Sequence, residues 1–198
     1  MADFFDVVLG QRAHRALRPD PVPDELIARV LDAAVHAPSA ENRQPWAFVV
    51  VRDPSLRHAI ARMTAATWEA GAGEYSRPNL TPRMFDEVDR WAREGLASAP
   101  VHVVVGGDTS LAAEALLPSS VYPAVQNLLL AALAVGLGSL MSTLSIVSGQ
   151  AFRELLELPD HIVPLALVPL GYPARPLGPP RRQPFAAKTF RDRWGQPW

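Results

Sequence analysis

The sequence predicts strands and helices folded together in a single domain spanning residues 1–198, and three observations carry that expectation. Short apolar, β-rich runs recur at Trp46–Val51, Val101–Val105 and Ile162–Leu170. Helical spacing of apolar side chains fills the stretches between them, and one helix, from about Ser120 to Gly136, is apolar nearly all round. With 198 residues, 48% hydrophobic and 20% charged, the chain is ordinary globular material. A chain of this length buries roughly 70% of its unfolded surface, enough for a core without staples.

Taken in order, Pro19, Pro21 and Pro23 punctuate the start. Leu26, Ile27, Val30, Leu31 and Ala34 then recur at helical spacing, with Pro23 suited to the first turn, Asp24 and Glu25 complementing the helix dipole, and Pro38 as the stop. After the first strand, Asp53-Pro54 reads as N-cap and first helical position of a helix to about Thr67. The stretch from Ala70 to Leu80, with Gly71, Gly73, Ser76, Pro78 and Asn79, reads as a mobile loop and the best lid candidate. Thr81-Pro82 starts a polar helix to about Ala97. Gly106-Gly107-Asp108 turns the second strand, Ser148 can cap a short helix to Leu158, and Pro173, Pro176, Pro179, Pro180 and Pro184 make residues 171–198 an extended C-terminal arm. A helix as apolar as the one near Ser120–Gly136 is rarely hidden completely in so small a domain, and a dimer interface explains it.

Composition excludes several function classes. With no cysteine, thiolate catalysis, iron–sulfur clusters and disulfide frameworks are out. A net charge of -1 gives no global field for nucleic acid or an anionic membrane, so any anion site is local. Met1 to Gly10 carries Asp3 and Asp6 and lacks a cationic n-region, so no signal peptide is read. The run Leu128–Gly138 is shorter than the ~20 residues of a membrane span, and the expected compartment is the cytoplasm. His14, His36, His58, His102 and His161 show no metal-ligand spacing, and no G-x-S-x-G nucleophile elbow occurs.

Four segments could carry chemistry. Arg12 and Arg15, three apart, could grip one phosphate from two sides or could simply be solvated. The segment Ala37-Pro38-Ser39-Ala40-Glu41-Asn42-Arg43-Gln44-Pro45-Trp46 packs polar side chains between two prolines, as ligand loops do, although Ser39 and Asn42 could be bonding their own backbone. Gly136-Leu137-Gly138-Ser139 lacks the third glycine of a dinucleotide fingerprint and follows a helix, so Gly136 reads equally well as a C-cap. Gly171-Tyr172-Pro173 leads into Arg181-Arg182, a second basic pair able to converge with Arg12 and Arg15 on one phosphate.

In this order the segments resemble the FMN-dependent nitroreductase family over nearly the whole chain. The family opens with R-R-S-x-R-x-F and P-V-P before an acidic helix start, echoed at Gln11–Leu17 and Pro21–Glu25. It continues with A-P-S-x-x-N-x-Q-P-W, present without a gap at Ala37–Trp46, then Q-N-L-L-L-A-A at Gln126–Ala132, G-L-G-S at Gly136–Ser139 and G-Y-P at Gly171–Pro173. Gln11, Ala13 and Leu17 depart from the family's usual Arg, Ser and Phe. The resemblance implies an α+β fold, a central mixed sheet flanked by helices in an intertwined homodimer, with one FMN at each of two sites built from both subunits. It implies an oxidoreductase that passes a hydride from NADH or NADPH through flavin N5 to a nitroaromatic, quinone-like or related small acceptor. No acid or base residue is implied as catalytic, and neither a metal, a nucleic acid nor a membrane partner is expected.

The implied FMN contacts begin with the segment Arg12, Ala13, His14 and Arg15, whose arginines would hold the phosphate together with Arg181 and Arg182. Pro38, Ser39, Ala40, Asn42 and Gln44 would form a flavin-facing loop, and Ser142, Thr143 and Leu144 would approach the ring from the other subunit's side. Two other functions share the A-P-S loop or the cofactor: a relative that consumes its own flavin to make dimethylbenzimidazole, and a non-catalytic flavin-binding protein.

Overall fold

The computed structural model describes residues 3–198; Met1 and Ala2, which open the segment read for a signal peptide and the 1–198 domain, lie outside the described residues. Helix α1 (Phe4–Gly10) starts at Asp3, whose carboxylate accepts from the amides of Phe5 and Asp6. Helix α2 (Asp24–Val35) follows, then strand β1 (Trp46–Val51) and helix α3 (Pro54–Thr67), capped by Asp53 through the Leu56 amide as the sequence predicts. Helices α4 (Gly73–Ser76) and α5 (Pro82–Arg93) lead to strand β2 (Val101–Asp108). Helix α6 (Leu117–Ala134), strand β3 (Gly138–Ser139), helix α7 (Gln150–Leu155) and strand β4 (Ile162–Gly171) complete the set.

The four strands form one sheet in the order β1-β2-β4-β3, antiparallel throughout. The expected mixed sheet is thus an antiparallel one, and among the described residues parallel pairing is confined to a single bridge between Ala13 and Ser139. Side chains alternate between two buried faces. Val101, Val103 and Val105 of β2 and Ala166, Val168 and Leu170 of β4 pack with α2 and α6. Val104 and Leu167 face the opposite way, into a second core with α3, α5 and α7. Helices on both faces explain why β2 is buried continuously from Val101 to Gly107 instead of at alternate residues.

Gly106 and Gly107 do not turn the chain after β2: they are paired strand residues, and glycine is needed because a Cβ at Gly106 would meet Ile162 at 2.9 Å and one at Gly107 would meet Leu117 at 2.8 Å. The expected lid at Ala70–Leu80 is helical. Wide π-type winding over Trp68–Ala72, broken by Gly71 at φ 135°, runs into α4 and a turn of 3-10 helix. Trp68 anchors this stretch, buried with its indole N–H donating to Asp89 at 2.7 Å and its ring beside Phe85. Loop-forming glycines are overridden by that tertiary contact. Ser148 is no cap either; α7 begins after Gly149, at φ 56°.

Helix α6 ends in a Schellman motif: the Gly136 amide donates to Leu133 at 3.0 Å and the Leu137 amide to Ala132 at 2.8 Å, with Gly136 at φ 82°. With its lead-in from Glu114, α6 is long and apolar enough to cross a membrane by composition alone, but Val121, Val125, Leu128 and Ala132 pack in the first core. Beyond Pro173 the chain has little regular structure through Pro184. From Phe185 a turn of 3-10 helix runs to Lys188, Phe190 bridges back to Pro197, and Phe190 lies 4.4 Å from Trp194 between ring centroids. Few other apolar groups cover these rings, so they associate with one another, and Trp194 remains 88% exposed.

Candidate functional site

The segment after α1 and the segment after β4 meet beside β3. Residues after α1 run extended past the sheet: the His14 amide donates to Ser139 at 2.9 Å, the Arg18 amide to Tyr172 at 2.8 Å and the Ala174 amide to Ala16 at 3.0 Å. Gly138 makes this approach possible, because a Cβ there would meet His14 and Leu17 at 2.9 Å. The two glycines of the G-L-G-S segment therefore have separate tasks, Gly136 ending the helix and Gly138 admitting the N-terminal segment.

The arm after β4 is held across this segment by Arg12, whose guanidinium donates to the Gly178 carbonyl at 2.7 Å. Between them lies a groove of about 600 Å³ whose charged lining is Arg12, Arg83, Arg175, Arg181 and Arg182 with one carboxylate, Glu87. An adjoining cavity of about 410 Å³ is lined by His14, Arg15, Arg90 and Trp91 and shares Glu87, Arg175 and Leu177 with the groove. Glu87 stands at the junction, 3.3 Å from Arg15 and 3.9 Å from Arg175. Arg12, Arg181 and Arg182 thus come together in one groove, whereas Arg15 sits next door, paired with Glu87. His14 is buried, and burial, then the Arg12 charge, push its imidazole below its ordinary pKa against the opposing pull of Glu87, so it is neutral at pH 7. Ala13 packs against the second core.

Ser142 pairs with Leu167 of β4 through two 2.8 Å backbone bonds, and its hydroxyl accepts from the Leu144 amide at 3.3 Å. This fixes Ser142–Leu144 on the sheet within a few residues of the Ser139–Ala13 bridge, with Thr143 exposed. The Pro38–Gln44 loop is elsewhere. The Ala40 amide donates to the Ser120 hydroxyl in the first turn of α6, whereas Ser139 follows that helix's other end. From Ser120 the helix runs on through Val121–Ala134, a rise of ~21 Å, before Ser139 is reached. Within the loop Glu41, Asn42 and Gln44 all have φ near +50°, Ser39 Oγ accepts from the Gln44 amide at 3.0 Å, and Gln44 Nε2 donates to Asn42 Oδ1 at 3.1 Å. Ser39 therefore does bond the local backbone, whereas the Asn42 side chain bonds the Gln44 side chain instead. Three left-handed residues without glycine are also more strain than a plain connector requires, as at ligand sites.

Arg83, Arg175 and Glu87 were not legible as site residues. Arg83 and Glu87 sit in a helix whose pattern shows only polarity, and no spacing signals that its face meets the arm. Arg175 directly follows the G-Y-P segment and could have been included with Arg181 and Arg182 on that ground. Among the described residues no group of three or more His, Asp or Glu side chains could hold a metal ion.

The result is a small α+β domain whose sheet is covered on both faces, with an arginine-lined groove between the segment after α1, helix α5 and the arm after β4. The Nitroreductase family pattern matches residues 8–172, and the chain belongs to that family. It is 34% identical to a NADH dehydrogenase of Thermus thermophilus over 92% of this chain and 93% of that protein. Its fold is similar to that of an iodotyrosine deiodinase bound to FMN and 3-iodo-L-tyrosine (TM-score 0.71, 26% identity, covering 91% of this chain and 95% of that one). It is also similar in fold to an FMN-bound nitroreductase of Desulfitobacterium hafniense (TM-score 0.73, 23% identity, covering 92% and 95%).

Proposed function

We propose that the protein is an FMN-dependent oxidoreductase that takes reducing equivalents from NADH or NADPH and delivers them to a nitroaromatic, quinone-like or related small acceptor, working as a homodimer in the cytoplasm. The observation that carries the reading is the groove in which Arg12 meets Arg181 and Arg182, far apart in sequence and together in space. Its donor set fits a phosphate monoester: guanidinium groups bind such oxygens bidentately and keep their charge at any working pH. Bound FMN would supply the redox chemistry, hydride acceptance and donation. The residues of this chain would hold and orient it: Arg12, Arg181 and Arg182 on the phosphate, joined by Arg15 once it leaves Glu87, with Ala13 and His14 as the floor. Ser142, Thr143 and Leu144 would approach the ring.

Pro38, Ser39, Ala40, Asn42 and Gln44 lie by the first turn of α6, whereas the Arg12 and Ser142 segments lie beyond its other end. A two-fold partner would supply them, so the reading requires a site built from both subunits. Unsatisfied apolar surface supports such a partner: Phe4, Phe5 and Leu9 of α1 are exposed, and so are Phe185 and Trp198 of the arm. The arm, residues 171–198, would then complete its packing against the other subunit. The test is a fluorescence titration with FMN, NAD(P)H oxidation assayed in parallel and mass measured by light scattering. Tight FMN binding, weakened about tenfold to a hundredfold by both Arg15→Ala and Arg182→Ala, is the expected result. Unchanged affinity in both variants, or a mass of 21.5 kDa, overturns it.

A further inference from the structure

We propose that Arg83 and Arg175 form a second phosphate subsite in the groove, one that takes a phosphate of the pyridine nucleotide donor; this rests on the FMN reading above. The argument is one of charge and space. A phosphate monoester carries about two negative charges at pH 7, and Arg12, Arg181 and Arg182 already exceed them. The same groove also holds Arg83 and Arg175 against the single carboxylate of Glu87. Glu87, 3.3 Å from Arg15 and 3.9 Å from Arg175, is a single carboxylate and answers at most one of these charges, whether or not Arg15 moves to the FMN phosphate. Arg83 has no ion pair at all among the described residues.

Nor does helix stability account for Arg83. It occupies the first turn of α5, where no acidic residue precedes it and where a cation opposes the helix dipole. Five guanidinium groups drawn around one groove repel one another, and a second anion relieves that repulsion. A volume of about 600 Å³ leaves room for it beside a phosphate. In the proposed activity the one other phosphate-bearing molecule that must visit this site is the donor, which carries a pyrophosphate in NADH and an additional 2′-phosphate in NADPH. Both phosphates share the chemistry that Arg83 and Arg175 recognise.

Calorimetry on the FMN-loaded protein with adenosine 2′,5′-bisphosphate and with adenosine 5′-diphosphate separates the two sources. At least one probe binds, and Arg83→Ala and Arg175→Ala each weaken it about tenfold or more while FMN affinity, titrated separately, moves less than about threefold. Loss confined to the 2′,5′-bisphosphate assigns the 2′-phosphate, and in that case kcat/KM falls for NADPH and not for NADH. Loss confined to the diphosphate assigns the pyrophosphate, with both donors affected. Binding of neither probe, unchanged binding in both variants, or an equal loss of FMN affinity overturns the second subsite. Failure of the wild-type protein to bind FMN overturns the underlying reading instead.

Discussion

Replacing Glu87 by glutamine should make the protein less stable and a better FMN binder at once. The carboxylate lies 3.3 Å from Arg15, with side chains 29% and 22% exposed. At that separation the bare attraction is about 5 kcal/mol for an effective dielectric of 20. Solvent screening and the ordering of two long side chains reduce exposed pairs to 1 kcal/mol or less, so this less exposed pair is worth about 1–2 kcal/mol net. Glutamine keeps the shape and removes the charge, and the ligand-free protein loses that amount. If the cofactor phosphate takes Arg15 from Glu87, the wild-type protein gives up the same 1–2 kcal/mol on binding and the variant does not. FMN affinity then rises about fivefold to thirtyfold, while the stability of the FMN-bound forms is equal. Denaturant unfolding with and without saturating FMN, together with a fluorescence titration, measures all sides of this cycle. A variant that is destabilised but binds FMN no more tightly shows that Arg15 stays with Glu87 in the complex, and removes Arg15 from the phosphate site.

Burial holds the His102 imidazole at a pKa of about 4, below the ordinary 6.5, with its Nε2 3.1 Å from the Leu96 carbonyl and its Nδ1 without a partner. The unfolded chain protonates His102 below 6.5 and the folded chain not until about 4, so stability falls as pH drops through that window, by roughly 3 kcal/mol in all. Unfolding curves from pH 7 to 4 should show this slope and His102→Gln should flatten it; an unaltered slope in the variant contradicts the assignment. Trp68→Phe removes the indole donor to Asp89 and should cost about 1–2 kcal/mol, with amides of residues 70–80 exchanging faster than the rest of the domain. Unchanged exchange there would mean that the contact does not hold the stretch helical.

Elements whose signal is local were legible in the sequence. Asp53-Pro54 and Thr81-Pro82 start helices because the cap bonds are made within three residues, and the valine-rich β2 announces burial on both faces without any knowledge of its neighbours. Misreadings fall where a distant contact outweighs local preference. Gly71 and Gly73 suggest a loop, yet Trp68, fixed by Asp89 across a helix pair, winds the chain; Gly106 and Gly107 suggest a turn, yet they are the small residues that let Ile162 and Leu117 approach β2. The candidate site divides in the same way. Arg12, Arg181 and Arg182 could be proposed to converge because clustered charge is visible in sequence. That Arg15 is engaged by Glu87, and that Arg83 and Arg175 join the groove, depends on how α5 docks, which no spacing encodes.

Net charge conceals this arrangement. The chain totals -1, so a tally finds no reason to expect anion binding. Yet one groove concentrates five arginines against one carboxylate, which leaves the rest of the surface net acidic. Such segregation favours anionic ligands at the groove and disfavours them elsewhere, and the focusing acts over about a Debye length, ~8 Å at physiological salt. Association of a phosphorylated ligand should therefore slow as salt rises even though the protein as a whole repels it weakly. Glu87 limits the strength of that field. Lying between Arg15 and Arg175, it offsets part of their mutual repulsion, and if a phosphate takes Arg15 from it, the acid that stabilises the ligand-free groove is also the one that limits affinity.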